Sequence, residues 1–197
     1  MTGAVILAAG GSSRFGSPKQ LTQFRGKTLV RRVVDVAQQA GCSPIVVVTG
    51  SNAAKVSRET TTRVIENKNW REGIGSSIRV GVEHVIDLEP EIAAIVLLVC
   101  DQPFVDADVI RNLIALWKKT RKDIVASSYS NTLGVPALFA RPVFSELQAL
   151  EGGSGAKKII FTNRERVAEF PFLQGKVDID TLDDYENVAS QSEVAFR

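Results

Sequence analysis

The sequence predicts a single α/β domain over residues 1–197, built on a doubly wound, mostly parallel sheet with helices on both faces. Three observations lead to this prediction. Short, uninterrupted apolar runs are typical of strands that are buried on both sides. Segments with apolar residues at helical spacing lie between several of these runs, which indicates βαβ units. A chain of 197 residues with 44% hydrophobic and 23% charged residues has the size and composition of one globular domain.

The predicted elements alternate along the chain. The predicted strands are Ala4–Ala9, Pro44–Thr49, Arg63–Glu66, Ile92–Cys100, Ile124–Ser128 and Val135–Ala140. The predicted helices are Thr28–Ala40, Ser76–Ile86 and Asp106–Lys118. Their apolar stripes are Leu29/Val33/Val36/Ala40, Ile78/Val82/Val85 and Val109/Leu113 with Leu116 or Trp117. Gly41 follows the first helix as a stop signal, and Asp106 stands at the N-cap of the third.

The functional crevice of such a fold lies at the carboxyl ends of the strands, because right-handed crossovers bring those ends together. The segments that begin at Gly10, Thr49, Asn67 and Asp101 follow predicted strands. We therefore expect the site among them.

Composition excludes several classes of protein. The net charge is only +2, and no cluster of Lys and Arg suggests a nucleic-acid partner. The longest apolar run, Ile92–Cys100, is too short to span a bilayer, and Ala4–Ala9 is too short for a signal peptide. Cys42 and Cys100 suggest no disulfide framework, and a single histidine, His84, supports no zinc site. We expect a cytoplasmic protein with no membrane partner.

The segment after the first predicted strand is rich in glycine and serine. It reads Ala8-Ala9-Gly10-Gly11-Ser12-Ser13-Arg14-Phe15-Gly16-Ser17-Pro18-Lys19. Glycine lets a backbone approach an oxyanion closely, so this loop is a candidate phosphate cradle. It is not a Walker A motif, since Ser17-Pro18 follows Gly16, and the dinucleotide pattern G-x-G-x-x-G is absent. The alternative is a plain turn, although Arg14 and Lys19 are unexplained by a turn. We expect Lys19 to face solvent.

Motifs along nearly the whole chain resemble one family. Leu7-Ala8-Ala9-Gly10-x-Ser12-x-Arg14-x-Gly16-x-x-Lys19 resembles the signature loop of nucleotidyltransferases that activate small molecules as nucleotide conjugates. Further matches are Pro18-Lys19-Gln20-Leu21, Gly26-Lys27-Thr28-Leu29, Asn67-x-x-Trp70-x-x-Gly73-x-x-x-Ser77-x-x-x-Gly81, Asp101-Gln102-Pro103, Gly134-x-Pro136-x-Leu138-Phe139 and Asp178-x-Asp180-Thr181. The resemblance is greatest to the molybdenum cofactor cytidylyltransferases of the MobA-like family, since related guanylyltransferases usually carry Leu-Ala-Gly-Gly in the first loop.

The resemblance implies a Rossmann-like nucleotidyltransferase fold and a role for each matching residue. The nucleotide-binding residues it implies are Leu7, Ala8, Ala9, Gly10, Gly11, Ser12, Arg14, Lys19, Ser77 and Asp101. Arg14 and Lys19 would contact the phosphates and the leaving pyrophosphate, and with Asp101 they form the predicted catalytic set. Asp101 and Asp180 would bind Mg²⁺.

Asp101 can also be interpreted without the resemblance. It closes a long apolar strand, where a carboxylate is poorly solvated unless it meets a cation. Mg²⁺ prefers one or two carboxylates together with phosphate oxygens and water. The alternative for Asp101 is a helix N-cap, although Asp106 is better placed for one. The alternative for Asp180 is a solvated acidic stretch shared with Asp178, Asp183 and Asp184.

Two further residues have open interpretations. Ser77 begins a predicted helix after a glycine turn, so its hydroxyl could bind a base edge or cap its own helix. In related cytidylyltransferases the matching serine faces the pyrimidine. Trp70 could stack on a ligand, but an aromatic residue beside a glycine turn is more often packing.

One segment departs from the family pattern. The family usually reads Gly-Asp-x-Gly-Ala-Arg where this chain has Gly152-Gly153-Ser154-Gly155-Ala156-Lys157. A carboxylate is missing at Gly153, and Lys157 offers a point charge instead of a bidentate fork. This departure bears on the acceptor more than on the nucleotide.

The resemblance thus implies a Mg²⁺-dependent enzyme that joins CTP to the terminal phosphate of a molybdopterin-type cofactor. The alternatives are GTP as donor, a sugar or polyol phosphate as acceptor, or a non-catalytic chaperone that holds the cofactor. A molybdenum hydroxylase or its cofactor-insertion chaperone is the expected protein partner. A dinucleotide oxidoreductase is disfavoured because its glycine fingerprint is absent.

Overall fold

The computed structural model describes residues 1–11, 15–50 and 52–194, and of residues 191–194 the backbone alone. In this part of the chain the strands are β1 Thr2–Ala8, β2 Gln23–Phe24, β3 Lys27–Thr28, β4 Ile45–Thr49, β5 Arg63–Glu66, β6 Ala94–Val99, β7 Ile124–Tyr129, β8 Thr132–Ala140 and β9 Val167–Pro171. The α-helices are α1 Leu29–Gln39, α2 Ala53–Val56, α3 Ile74–Leu88, α4 Ala107–Thr120, α5 Phe144–Gln148, α6 Ala156–Thr162 and α7 Leu182–Val194.

Seven of these strands form one sheet in the order β5-β4-β1-β6-β8-β7-β9. β1 pairs in parallel with β4 on one side and with β6 on the other. β5 and β9 extend the parallel pairing at the two edges. The chain builds outward from β1 to β5 and then returns to β6, so the winding direction changes between β1 and β6. The predicted doubly wound, mostly parallel α/β fold is confirmed.

One predicted strand runs against the rest of the sheet. Val135–Ala140 belongs to β8, which pairs antiparallel with both β6 and β7. The cause is the tight hairpin at Ser130 and Asn131, whose φ angles are 48° and 58°. Two consecutive residues with positive φ match the twist of a two-residue hairpin, which joins antiparallel strands.

The structure adds strands that the sequence pattern did not predict. β2 and β3 form a separate two-stranded sheet of two residues each, too short to show a period. β9 is an edge strand whose residues are half-buried or exposed, so it lacks a continuous apolar run. Both additions lie in segments where local sequence carries little strand signal.

Helices cover both faces of the sheet. Neighbouring residues of β1 point to opposite sides, so Ile6 belongs to one hydrophobic cluster and Val5 to the other. α1 and α4 pack on the Ile6 side, while α3, α5 and α6 pack on the Val5 side.

Helix α3 lies unusually close to the sheet at Gly81. A Cβ atom at this position would overlap the Val5 side chain and lie 2.9 Å from Cγ2 of Val48. Glycine therefore permits the close approach of α3 to β1 and β4. This contact fixes the start of α3 relative to the carboxyl end of β1.

Two expectations drawn from composition can be compared with the structure. Among the described residues, no helix combines the length and apolar character needed to cross a membrane. Cys42 and Cys100 are both free and buried. Burial raises the pKa of the Cys42 thiol to about 11 and raises the pKa of Cys100 as well, so neither is an activated thiolate.

We predict that Gly81→Ala lowers the free energy of unfolding by about 1–3 kcal/mol, because the added methyl group overpacks the contact with Val5. This cost should exceed the gain in helix propensity of about 1 kcal/mol. Urea unfolding measures it. Gly153→Ala is the control, since a Cβ there meets no atom within 4 Å. Equal stability of Gly81→Ala and the parent would contradict this packing argument.

Candidate functional site

A cavity of about 420 Å³ opens at the carboxyl edge of the sheet. It lies where β1 and β6 end, next to the change in winding direction, as expected for an open α/β sheet. One wall is the segment after β1 and a second wall is the beginning of α3. The floor carries Lys19, Asp101 and Asp180. A cavity of this size can take a nucleotide-sized ligand.

The segment after β1 forms the first wall. The residues of this segment that line the cavity are Leu7, Ala8, Ala9, Gly10 and Gly11. The buried side chain of Gln20 donates a hydrogen bond from Nε2 to the Ala8 carbonyl oxygen at 2.7 Å, which fixes where the strand ends. Ser12 and Arg14, which the sequence predicts in this site, lie outside the described residues.

Lys19 joins two carboxylates at the floor of the cavity. Its Nζ lies 2.8 Å from Oδ2 of Asp101 and 2.8 Å from Oδ1 of Asp180. The Lys19 side chain is 17% exposed, so the expectation that it faces solvent is wrong. The reason is that Asp101 and Asp180 bind its ammonium group at the carboxyl edge of the sheet.

Backbone contacts bring the distant Asp180 to Asp101. The Ile179 N–H donates to the Asp101 carbonyl oxygen at 2.9 Å, so the segment around Asp180 runs beside the end of β6. Gln102 reinforces this contact, because its buried Nε2 donates to the Gly175 carbonyl oxygen at 2.9 Å. Two residues far apart in sequence therefore share one cation.

Aspartates other than Asp101 accept the hydrogen bonds at the starts of the neighbouring helices. Asp106 caps α4, since its Oδ1 accepts a hydrogen bond from the Val109 N–H at 2.9 Å. Asp184 accepts hydrogen bonds from the Thr181 and Asp180 N–H groups just before α7. The Thr181 hydroxyl, which donates to the same carboxylate at 2.8 Å, and then these N–H groups hold the pKa of Asp184 below its usual value. Asp101 serves neither role and pairs with Lys19 instead.

The charges at the cavity floor influence one another. Burial disfavours the ammonium form of Lys19, but the charges and hydrogen bonds of Asp101 and Asp180 outweigh it and raise the Lys19 pKa. Burial, followed by the negative charges of Asp101 and Asp180, raises the pKa of Asp178 to about 6. The carboxylates of Asp101 and Asp180 therefore shift the pKa of both Lys19 and Asp178 upwards.

This donor set suits a divalent cation. Two carboxylate oxygens already converge on one positive charge, and Mg²⁺ takes one or two carboxylates with the remaining positions left to phosphate and water. Across the described residues no three His, Cys, Asp or Glu side chains come together as a closed metal site. The arrangement resembles an open site that a ligand completes.

The beginning of α3 forms the second wall, and Ser77 lines the cavity there. Behind it, the buried Asn67 donates from Nδ2 to the hydroxyl oxygens of Ser76 at 2.8 Å and Ser77 at 3.0 Å. Asn67 follows β5, and the sequence motif to which it belongs assigns it no role. Its position at the carboxyl end of a strand is the sequence signal that could have indicated one.

Trp70 lies between the two walls. A Cβ at Gly50 would lie 2.8 Å from the Trp70 ring, and one at Gly11 would lie 3.0 Å from it. The Arg71 guanidinium lies over the same ring, 4.7 Å from its centre. The indole packs against backbone and a cation and also lines the cavity, so the packing and the stacking interpretations both stay predictions.

The segment that departs from the family pattern packs on the beginning of α3. The Gly75 N–H donates to the Gly152 carbonyl oxygen at 2.9 Å. A Cβ at Gly153 would meet nothing within 4 Å, so packing does not exclude the missing carboxylate there. Lys157 is exposed and lies beside Gly134, outside the cavity lining.

Comparisons with known proteins agree with this geometry. A family model described as the MobA-like NTP transferase domain matches residues 4–167. The "Nicotine blue oxidoreductase" of Paenarthrobacter nicotinovorans is 30% identical over 141 residues, which are 70% of this chain and 66% of that protein. A "Probable molybdenum cofactor guanylyltransferase" of Bacillus cytotoxicus is 30% identical over 111 residues, 55% of this chain and 53% of that protein. This chain thus spans about half to two thirds of these relatives.

A solved structure covers almost the whole chain. Rv0371c from Mycobacterium tuberculosis H37Rv is 32% identical, with a TM-score of 0.83 over 96% of this chain and 97% of that chain. A second structure of Rv0371c, in complex with manganese, is 31% identical with a TM-score of 0.79, over 96% of this chain and 98% of that chain.

We predict that Lys19→Met lowers the free energy of unfolding at pH 7 by about 1–2 kcal/mol, because Asp101 and Asp180 lose the cation between them. Denaturant unfolding measures this loss. Lys27→Met is the matched control, since Lys27 also binds a carboxylate, Asp35, but is 53% exposed. An equal effect of both substitutions would argue against a special role for the pairing of Lys19.

We also predict that Asp178→Asn stabilises the protein at pH 8 by up to about 1 kcal/mol, a small figure because the side chain is partly exposed and screened. The folded pKa of about 6 lies above the ordinary 3.8, so the ionised form is penalised in the folded state above pH 6. The gain should shrink as the pH falls from 6 towards 4. Urea unfolding at pH 4 and pH 8 tests this, with the exposed Asp183→Asn as control; a gain independent of pH would contradict it.

Proposed function

This chain belongs to the MobA-like NTP transferase family, and on that premise we propose that it transfers CMP from CTP to the terminal phosphate of a molybdopterin-type cofactor, with release of pyrophosphate. We further propose that residues 1–197 form one nucleotidyltransferase domain. The observation that carries the proposal is the convergence of Lys19, Asp101 and Asp180 at the floor of a cavity walled by the glycine-rich segment.

We propose that Asp101 and Asp180 hold Mg²⁺. Their two oxygens already converge on one cation, Lys19, at the cavity floor, and both carboxylates remain partly exposed to the cavity. When bound, the metal supplies charge neutralisation to the triphosphate, as in other phosphoryl transfers. The manganese complex of Rv0371c supports a divalent metal in a relative.

The remaining groups position the phosphates. The backbone of Ala8–Gly11 lines the cavity, where its N–H groups can donate to phosphate oxygens. Lys19 and Arg14 supply positive charge to the phosphates and to the leaving pyrophosphate. Preorganised donors of this kind lower the barrier because they need not reorient as charge develops.

The reaction requires no general base from the protein. An oxygen of the acceptor's phosphate monoester attacks the α-phosphorus, and the bond from the α-phosphorus to the bridging oxygen breaks. The bridging oxygen leaves with pyrophosphate, and a phosphoanhydride joins CMP to the acceptor. Because the nucleophile is already an anion near pH 7, the task of the site is to bring two anions together.

Sequence motifs and one relative point to different donor nucleotides. Leu7-Ala8-Ala9-Gly10 and Gly134-x-Pro136-x-Leu138-Phe139 support CTP, whereas the relative named as a guanylyltransferase favours GTP. A sugar or polyol phosphate is the alternative acceptor. We propose a molybdenum hydroxylase or its cofactor-insertion chaperone as the recipient of the product.

A second candidate function follows from the relative named nicotine blue oxidoreductase. That name favours reduction of a small aromatic molecule, which would use a reduced dinucleotide. The absence of G-x-G-x-x-G argues against it in this chain. A third candidate is a chaperone that binds the cofactor without turnover.

One experiment separates these functions. The protein is incubated with Mg²⁺, molybdenum cofactor and CTP or GTP, and pyrophosphate release is measured beside NADPH oxidation. We expect pyrophosphate release that requires the cofactor and is faster with CTP. Equal rates with GTP would reject the cytidylyl assignment while retaining the enzyme class. Cofactor binding without pyrophosphate release would support the chaperone, and NADPH oxidation alone would support the oxidoreductase.

We predict that Asp101→Asn lowers kcat/KM by about 10²–10³, because it removes charge that the metal needs while keeping the shape of the side chain. The melting temperature should fall less than in Lys19→Met, because Lys19 keeps its ion pair with Asp180. Asp106→Asn is the matched control, since asparagine caps a helix about as well as aspartate and activity should persist. Full Mg²⁺-dependent turnover by Asp101→Asn would defeat the proposed mechanism.

A further inference from the structure

The amide of Asn67 has one orientation that satisfies all its neighbours. Its Oδ1 accepts a hydrogen bond from the Asn69 backbone N–H at 3.0 Å. A backbone N–H can only donate, so the oxygen of the amide must face Asn69 and the nitrogen must face the two serines. Asn67 is 3% exposed, and its two amide hydrogens go to Ser76 and Ser77.

This orientation dictates what each serine hydroxyl can do. Both hydroxyl oxygens accept from Asn67, so each hydroxyl hydrogen must point elsewhere. The hydrogen of Ser76 has acceptors at the carbonyl oxygens of Gly73, at 2.8 Å, and Asn69, at 3.1 Å. The Ser77 hydroxyl donates to no group among the described residues, and Ser77 lines the cavity while Ser76 does not.

The surrounding wall favours a base over a phosphate at Ser77. Among the residues that the structure describes, the charged ones that line the cavity are Lys19, Asp101 and Asp180, which lie at its floor. The wall formed by Trp70, Gly73, Ile74 and Ser77 carries no formal charge. An uncharged wall with one directed donor suits the edge of a nucleobase.

We propose that Asn67 is a positioning residue that makes Ser77 a fixed hydrogen-bond donor to O2 or N3 of cytosine. This inference rests on the proposed function and assigns Asn67 a part in its donor specificity. A fixed donor pairs with these two acceptors and opposes the N1–H and N2 amino groups of guanine, which are donors themselves. Discrimination arises because a donor facing a donor leaves both groups unpaired.

Ser76 and Ser77 form a matched pair for the test. Both are buried and both accept from Asn67, but only Ser77 reaches the cavity. We expect Ser77→Ala to weaken CTP binding about tenfold and to lower the ratio of CTP to GTP affinity by a similar factor. Ser76→Ala should leave that ratio unchanged. Isothermal titration with CTP and GTP in the presence of Mg²⁺ measures both.

Asn67→Asp tests the positioning role. A carboxylate at this place accepts from the serines, so the Ser77 hydrogen turns away from the cavity. We expect the same loss of CTP preference as in Ser77→Ala, and no further loss when the two changes are combined. The exposed Asn69→Asp is the control, because it introduces the same charge on a side chain that hydrogen-bonds to neither serine hydroxyl, while its backbone contacts are kept. Asn67→Ala, which frees the Ser77 hydroxyl to rotate, serves if Asn67→Asp does not fold.

The outcomes separate this inference from the function on which it rests. A wild-type protein that prefers CTP, together with Ser77→Ala or folded Asn67 variants that keep the full preference, overturns the inference alone. Multiplicative losses in the Asn67→Asp/Ser77→Ala double variant also overturn the positioning role. A wild-type protein that binds neither triphosphate overturns the proposed function. A wild-type preference for GTP overturns the donor assignment and this inference with it.

Discussion

The parallel pairing of β1 with β6 is the constraint on which the site depends. Both strands end at the same edge of the sheet, so the segment that begins at Ala8 and the carboxylate of Asp101 face one cavity. The chain reverses its winding direction between these strands, which keeps a crossover helix from filling the space above them. The other residues of the site lie around these two strand ends.

Two like charges remain together at this edge because the fold holds them there. Asp101 and Asp180 would repel each other, but Lys19 lies between them and the Ile179 N–H ties the second segment to the first. The partial exposure of both carboxylates leaves room for further oxygen ligands. In the proposed function, a metal and phosphate oxygens take the place of the ammonium between these carboxylates.

The opposite wall is built by close backbone contacts and one buried amide. Gly81 lets α3 approach β1, and Gly75 pairs with the Gly152 segment, so the start of α3 is held on two sides. Asn67 then fixes the hydroxyls behind and within the wall. Charge at the floor and directed hydrogen bonding at the wall divide the cavity into chemically different halves.

The sequence by itself determined the fold class, the positions of β1, β4–β8, α1, α3 and α4, and the segments around the cavity, because periodicity and glycine spacing are local signals. It did not indicate the short helices α2, α5 and α6 or the helix α7. Tertiary structure decided the reversed direction of β8, which depends on a two-residue hairpin, and the burial of Lys19, which the loop pattern did not indicate. Tertiary structure also decided that Lys19 lies between Asp101 and Asp180, and it decided the orientation of the Asn67 amide. These features depend on contacts between residues far apart in the chain, and no local pattern encodes which distant group a side chain will meet.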